Sequence, residues 1–210
     1  MPIRILLADD HQIVRQGIRA LLEEERFEVV AEASNGHEAL QLVGTTQPDV
    51  AILDLGMPGL NGVDTAREIR RISRNTRTLL VTVHDEEPYV LGALRAGVTG
   101  YVLKTQAATD LVQAVHEVVY GKIYLSPGIS RSVLELYKNR EELPPDPLSP
   151  RERQILQLVA EGKSTKEAAS ILGVSEKTAE SHRTHLMSKL DIHQTAGLVR
   201  YAIKHGIVQA

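Results

Sequence analysis

Five side chains of this 210-residue chain are chemically suggestive as a set: the carboxylates of Asp9, Asp10 and Asp54, the hydroxyl of Thr82 and the ammonium of Lys104. Three carboxylates gathered within a few ångströms repel one another unless a proton or a cation intervenes. Oxygen donors of this kind suit a hard divalent cation, Mg2+ above all. The expected ligands are the carboxylates of Asp10 and Asp54 and a backbone carbonyl at Gly56, with Asp9 holding the metal largely through water. Asp54 can then serve as a carboxylate nucleophile toward a phosphoryl donor. Lys104 would neutralise the equatorial phosphoryl oxygens, and Thr82 would donate a hydrogen bond to the group once transferred. A site that forms an adduct and senses it with a hydroxyl is closer to a switch than to a turnover catalyst. Taken singly, each residue has an ordinary use: Asp as turn or cap, Thr in a strand, Lys in solvent.

The elements that must position them are legible as short apolar runs. Ile3 to Ala8 ends in Asp9-Asp10, Val50 to Leu53 ends in Asp54, Thr78 to Val83 contains Thr82, and Gly100 to Leu103 ends in Lys104. Glu28 to Ala33 reads as a further strand. Runs without polar alternation predict parallel strands buried on both faces. Between them lie helical patterns: a stripe of Ile13, Val14, Gly17, Ile18, Leu21 and Leu22, then Gly36–Val43, Val63–Ile72, about Glu86–Ala96 and Ala108–Tyr120. Strict alternation predicts a parallel sheet with helices on both faces. The chemistry-bearing residues then share the carboxyl edge of the sheet, where open α/β folds bind ligands.

Residues 126–138 carry a helical stripe (Ile129, Val133, Leu136, Tyr137), and the proline- and charge-rich stretch 139–147 reads as an exposed linker. The tail is punctuated as a four-helix unit. Ser149-Pro150-Arg151-Glu152 and Ser164 to Glu167 are capping boxes, Gly173 turns the chain, and Ser175 opens a third helix that runs to about Leu190. A fourth spans about Thr195 to His205. Two short helices about a glycine turn match a helix-turn-helix. Ala179, His182, Leu186 and Leu190 form the inner face of the third helix. Lys177, Glu180, Ser181, Arg183 and Thr184 point outward, as a helix in a DNA major groove requires. Lys163, Lys166, Lys177 and Lys189 are expected to meet phosphates. Charge divides the same way: residues 1–147 net −6 and residues 148–210 net +3.

Composition narrows the classes. The chain has no cysteine, which removes disulfides and thiolate chemistry. Aromatic content is 3%, too low for base stacking to dominate. No leader-like start is present, and no apolar run reaches the roughly 18 residues a membrane span needs, so a cytoplasmic protein without membrane contact is expected.

ADDH at the first strand end, DLGMPGLNG at Asp54 and GYVLK at the fifth strand resemble the receiver domain of two-component response regulators. Residues 148–208 resemble a LuxR-type DNA-binding domain, and the two together resemble the NarL/FixJ subfamily. The resemblance implies a flavodoxin-like (βα)5 receiver over residues 1–122, a connecting helix and linker over 123–147, and a helix-turn-helix domain over 148–210. It implies Mg2+-dependent phosphorylation of Asp54 by a sensor histidine kinase, coupling of Thr82 to an inward-turning Tyr101, promoter DNA as a partner, and a homodimer when active. Glu180, where some members carry Lys, becomes a specificity residue that accepts from a cytosine or pairs with Arg183. On this reading the chain is not an enzyme. The alternatives are a DNA-binding factor that works without phosphorylation and, further off, a phosphohydrolase with Asp54 as nucleophile.

Overall fold

The computed structural model describes residues 2–129 and 146–208. They fall into two compact units, divided between residues 141 and 142.

The first unit is built on a six-stranded parallel sheet in the order β2-β1-β3-β4-β5-β6. Its strands are β1 (Arg4–Ala8), β2 (Glu28–Ala33), β3 (Val50–Asp54), β4 (Arg77–Thr82), β5 (Gly100–Leu103) and β6 (Tyr124–Leu125). Helices α1 (Gln12–Glu24), α2 (Gly36–Thr46), α3 (Gly62–Ile72), α4 (Glu87–Ala96) and α5 (Ala107–Val119) follow the first five strands in turn. The apolar runs sit in the sheet because both of their faces are covered. Along β1 and β3, Leu6, Ala8, Ala51 and Leu53 face one core. The alternating Ile5, Leu7, Val50 and Ile52 face the other. Strand order reverses between β1 and β3, and Ala8 lies beside Leu53, so the residues that follow these two strands open onto one crevice.

Three expectations are corrected. The sheet has a sixth strand, β6, paired with β5 through Gly100–Tyr124 and Tyr101–Leu125, so the first domain does not end at residue 122. A two-residue strand is too short to show an apolar period. Residues 126–129 form a turn rather than the start of a helix: Ser126 N donates to the Tyr101 carbonyl at 2.9 Å and Ile129 is buried. The rest of the expected 126–138 helix and most of the 139–147 linker lie outside the described residues. Ile13 was placed on the apolar stripe of α1 but is 85% exposed, while Ile18 and Leu22 carry the buried face.

The second unit holds α6 (Pro150–Ala160), α7 (Thr165–Leu172), α8 (Glu176–Leu190) and α9 (Thr195–Lys204). Both capping boxes form, at Ser149/Glu152 and Ser164/Glu167, and the Ser175 hydroxyl accepts from Thr178 N at 3.1 Å. These caps satisfy amide groups that the first helical turn leaves without partners. Ile155, Leu158, Ala169, Ala179, Leu186 and Leu198 form the core.

Candidate functional site

The carboxyl edge of the sheet brings the predicted residues together. Lys104 lies just past β5 and reaches back across the crevice, its Nζ 2.9 Å from Asp9 Oδ2 and 2.7 Å from Asp54 Oδ1. The other Asp54 oxygen accepts from Gly56 N at 2.8 Å. Both oxygens of the carboxylate therefore face donors, which fixes its plane. Asp54 is 5% exposed and Asp9 1%. Gly62 makes this geometry possible: a Cβ there would collide with the Asp54 carbonyl oxygen and press on Leu80. α3 can begin directly beneath the strand end only because the residue has no side chain.

Burial pushes the Asp54 carboxyl above its ordinary range, against the hydrogen bond and charge of Lys104, with Asp9's charge adding to the rise. Burial opposes the charge on Lys104 as well, yet Asp54 and Asp9 together hold its ammonium above the usual lysine value. The site is thus a cation wedged between two buried carboxylates, of which Asp54 is the one that burial makes reluctant to ionise.

Asp10 stands on the exposed side, with His11 Nδ1 3.0 Å from its Oδ1. Ligand atoms of Asp9, Asp10 and His11 lie within 4.8 Å of one another. Asp9 and Asp54 face one ammonium and Asp10 stands beside Asp9, an excess of negative charge made of hard oxygen donors, and this set fits a divalent cation. The sequence argument left His11 without a role, although it follows the two aspartates directly.

Behind the site, Thr82 is 1% exposed and Tyr101 fully buried. They are linked directly, side chain to side chain, and through the backbone of one residue: His84 N donates to Thr82 Oγ1 at 3.2 Å, and the Tyr101 hydroxyl donates to the His84 carbonyl at 2.9 Å. The His84 ring stacks on Tyr89 with centroids 4.1 Å apart, and its Nδ1 lies 3.2 Å from Glu86. Burial keeps the Tyr101 hydroxyl protonated well beyond its ordinary range, so it remains a donor.

A first family model, the response regulator receiver domain, matches residues 5–116. A second, the bacterial regulatory proteins of the luxR family, matches residues 146–202. The chain belongs to the NarL/FixJ response regulators. Among its relatives, the transcriptional regulatory protein MctR of Rhizobium johnstonii is 38% identical over 207 residues, covering 98% of this chain and 95% of the relative. Response regulator UvrY of Escherichia coli K12 is 36% identical over 211 residues, covering 99% and 97%. Among solved structures, RcsB from Salmonella enterica serovar Typhimurium, bound to promoter P1flhDC in the presence of the phosphomimetic BeF3-, superposes with a TM-score of 0.64 at 29% identity, covering 96% and 98%.

In the helical unit of this response regulator, Lys163, Lys166, Lys177, Glu180, Ser181 and Thr184 are exposed on α7, α8 and the turn preceding α7. Two of the predicted DNA-facing residues are engaged within the unit instead. Arg183 is half-buried, donating to Thr165 Oγ1 at 3.1 Å and Thr195 Oγ1 at 3.2 Å. It thereby ties α8 to the first residues of α7 and α9, and no ion pair with Glu180 forms among the described residues. Lys189 Nζ lies 2.7 Å from Glu152 Oε2, a carboxylate that is itself buried in α6. His182 is half-buried rather than part of the closed core.

Proposed function

We propose that Asp54 is the phosphoacceptor of this response regulator and that its phosphorylation controls DNA binding by the helical unit. The observation that carries the reading is the Lys104 bridge between Asp9 and Asp54 at the β1/β3 crevice. An Asp54 carboxylate oxygen attacks the phosphorus of a phosphohistidine or acyl phosphate. A P–O bond forms to Asp54 as the bond to the donor breaks, and the electron pair leaves with the donor. Lys104 sits where negative charge gathers on the transferring group. Asp9, Asp10, Asp54 and the Gly56 carbonyl would hold Mg2+, which supplies further charge neutralisation when bound.

The readout runs through Thr82, His84 and Tyr101. A hydrogen bond from Thr82 to the phosphoryl group shifts the hydroxyl that now accepts from His84 N. The His84 carbonyl in turn holds Tyr101. Two arrangements of this short chain supply a two-state element. In the helical unit, α8 is the recognition helix, with Lys177, Glu180, Ser181 and Thr184 toward bases and Lys163 and Lys166 toward phosphates. Arg183 positions α8 by gripping two neighbouring helices. The active form is a homodimer on paired half-sites, served by a sensor histidine kinase in the cytoplasm.

The test is intact mass after incubation with acetyl phosphate and Mg2+, followed by affinity for duplexes selected from a random pool. A gain of about 80 Da, absent from Asp54→Asn and without Mg2+, is expected. Beryllofluoride should then tighten binding of the selected duplex. Labelling that persists in Asp54→Asn would move the acceptor elsewhere and overturn the assignment.

A further inference from the structure

At the opposite edge of the sheet from Asp54, the chain gathers arginines. Residues 67–77, the second half of α3 and the loop into β4, carry five arginines and one glutamate, a local net of +4 within a region that nets −6. Arg70, Arg74 and Arg77 line a cavity of about 260 Å3 together with Thr78 and Thr99. Arg95, from the end of α4, joins Arg67 and Arg71 along an adjoining groove that shares Arg70 and Arg74.

Two of these cations are occupied: Arg67 pairs with Asp64 and Arg71 with Glu68. Arg70, Arg74, Arg77 and Arg95 have no carboxylate partner among the described residues. Arg70 is nonetheless placed, packing over Gly97 so closely that a Cβ there would collide with its guanidinium. Arginines in the last turn of a helix complement its dipole, and this explains Arg70 and Arg95. It does not explain Arg74 and Arg77, which lie beyond the end of α3. Thr78 lines the same cavity, and its hydroxyl has no hydrogen-bond partner among the described residues, so it is a donor open to an occupant of the cavity.

We propose that this cavity binds a small polyphosphorylated anion. Guanidinium forks match phosphate oxygens two at a time, and three of them around a concave site exceed what one phosphate needs. The volume is that of a small molecule, and the concavity distinguishes the site from a flat surface for a protein or duplex. The Arg70, Arg74 and Arg77 side chains grip the phosphate chain, and the Thr78 hydroxyl donates to one of its oxygens.

Calorimetric titration of the full chain with sodium tripolyphosphate, without Mg2+ and in low salt, tests this. Binding is expected, with sodium sulfate far weaker. It should weaken by about tenfold or more in Arg70→Gln/Arg74→Gln/Arg77→Gln and by severalfold in the single variant Arg74→Gln, an exposed position where folding is not at stake. Thr78→Val should weaken it severalfold, while Lys204→Gln, an exposed lysine of the helical unit, leaves it unchanged. Retained labelling by acetyl phosphate shows that each variant is folded. Absence of binding overturns the proposal, as does binding lost in the lysine variant and kept in the arginine variants. Arginine variants that lose only duplex affinity, with no tripolyphosphate bound by the parent chain, would also overturn it and assign the patch to DNA.

Discussion

Replacing Asp54 with Asn should stabilise the first unit in the absence of divalent cation while abolishing phosphorylation. Asp54 is 5% exposed, and its balance falls on the side of burial, which raises its carboxyl despite Lys104 2.7 Å away. An amide keeps the hydrogen bond from Gly56 N and removes the buried charge, and Lys104 retains Asp9 as a partner. The gain should be about 1 kcal/mol or less, because the Lys104 side chain is 20% exposed, solvent screens the pair, and Lys104 keeps Asp9. For a unit of this size that is roughly 2–4 °C in its melting transition. The sign with pH is set by the raised carboxyl. The folded state binds more protons than the unfolded state above the ordinary value of 3.8, so the parent loses stability as pH rises through the folded value. The advantage of Asn should therefore grow from acid toward neutral pH. Divalent cation reverses the order. At about 100 times its dissociation constant it adds roughly 2.7 kcal/mol to the parent and far less to a variant lacking one carboxylate ligand. The assay is urea unfolding of the full chain followed by circular dichroism, with the transition of the helical unit as an internal reference. If Asp54→Asn is less stable than the parent in metal-free buffer at pH 7, attraction to Lys104 outweighs burial and the reasoning fails.

Glu152→Gln should lower the helical unit's stability by about 1 kcal/mol at pH 7, because it removes a buried carboxylate held by Lys189 and the Ser149 amide. Burial opposes that carboxylate, yet its partners hold it below the ordinary 4.5, so the parent's advantage is present above that value and disappears as pH falls through the folded one; a pH series of urea midpoints reads this. Tyr101→Phe, which loses the bond to the His84 carbonyl and the contact with the Thr82 hydroxyl, should cost about 1 kcal/mol and leave acetyl-phosphate labelling intact. Its duplex affinity should respond weakly to beryllofluoride, and a full response would remove Tyr101 from the readout. Gly62→Ala should destabilise the first unit by about 2 kcal/mol and slow labelling at Asp54, since its methyl group displaces the end of β3; labelling at the parent rate would show that the strand end absorbs it.

Much of this was legible in the chain because the signals are local. An uninterrupted apolar run followed by Asp or Lys marks both a two-faced strand and what stands at its end, so the crevice of Asp9, Asp54 and Lys104 could be foreseen. Ser149 and Ser164 each announced a helix through a glutamate three residues on, and Ser175 announced one as a capping hydroxyl after a glycine turn. What escaped depends on partners distant in sequence. Lys189 looks like a free phosphate contact until α6 brings Glu152 to it across 37 positions. Arg183 falls on the outward arc of α8, but its long fork curls back to threonines at two helix starts. Ile13 fits the helical period and still faces solvent, because a stripe wider than its neighbour leaves its edge uncovered. The arginines of 67–77 drew no reading from the sequence, since only the fold shows that several of them line one hollow.

The sixth strand makes the edge of the sheet a place where length of chain matters. β5 carries Tyr101, and its outer side is closed by Tyr124–Leu125, by Ser126 accepting from Leu103 N at 3.1 Å, and by buried Ile129. A fragment cut at 122 would strip that cover and leave a flat, apolar strand with open hydrogen-bonding groups, the template on which chains add to one another. A fragment cut at 129 keeps the edge sealed. The first would be prone to self-association and the second would stay monomeric, a difference set by seven residues outside the Asp54 crevice.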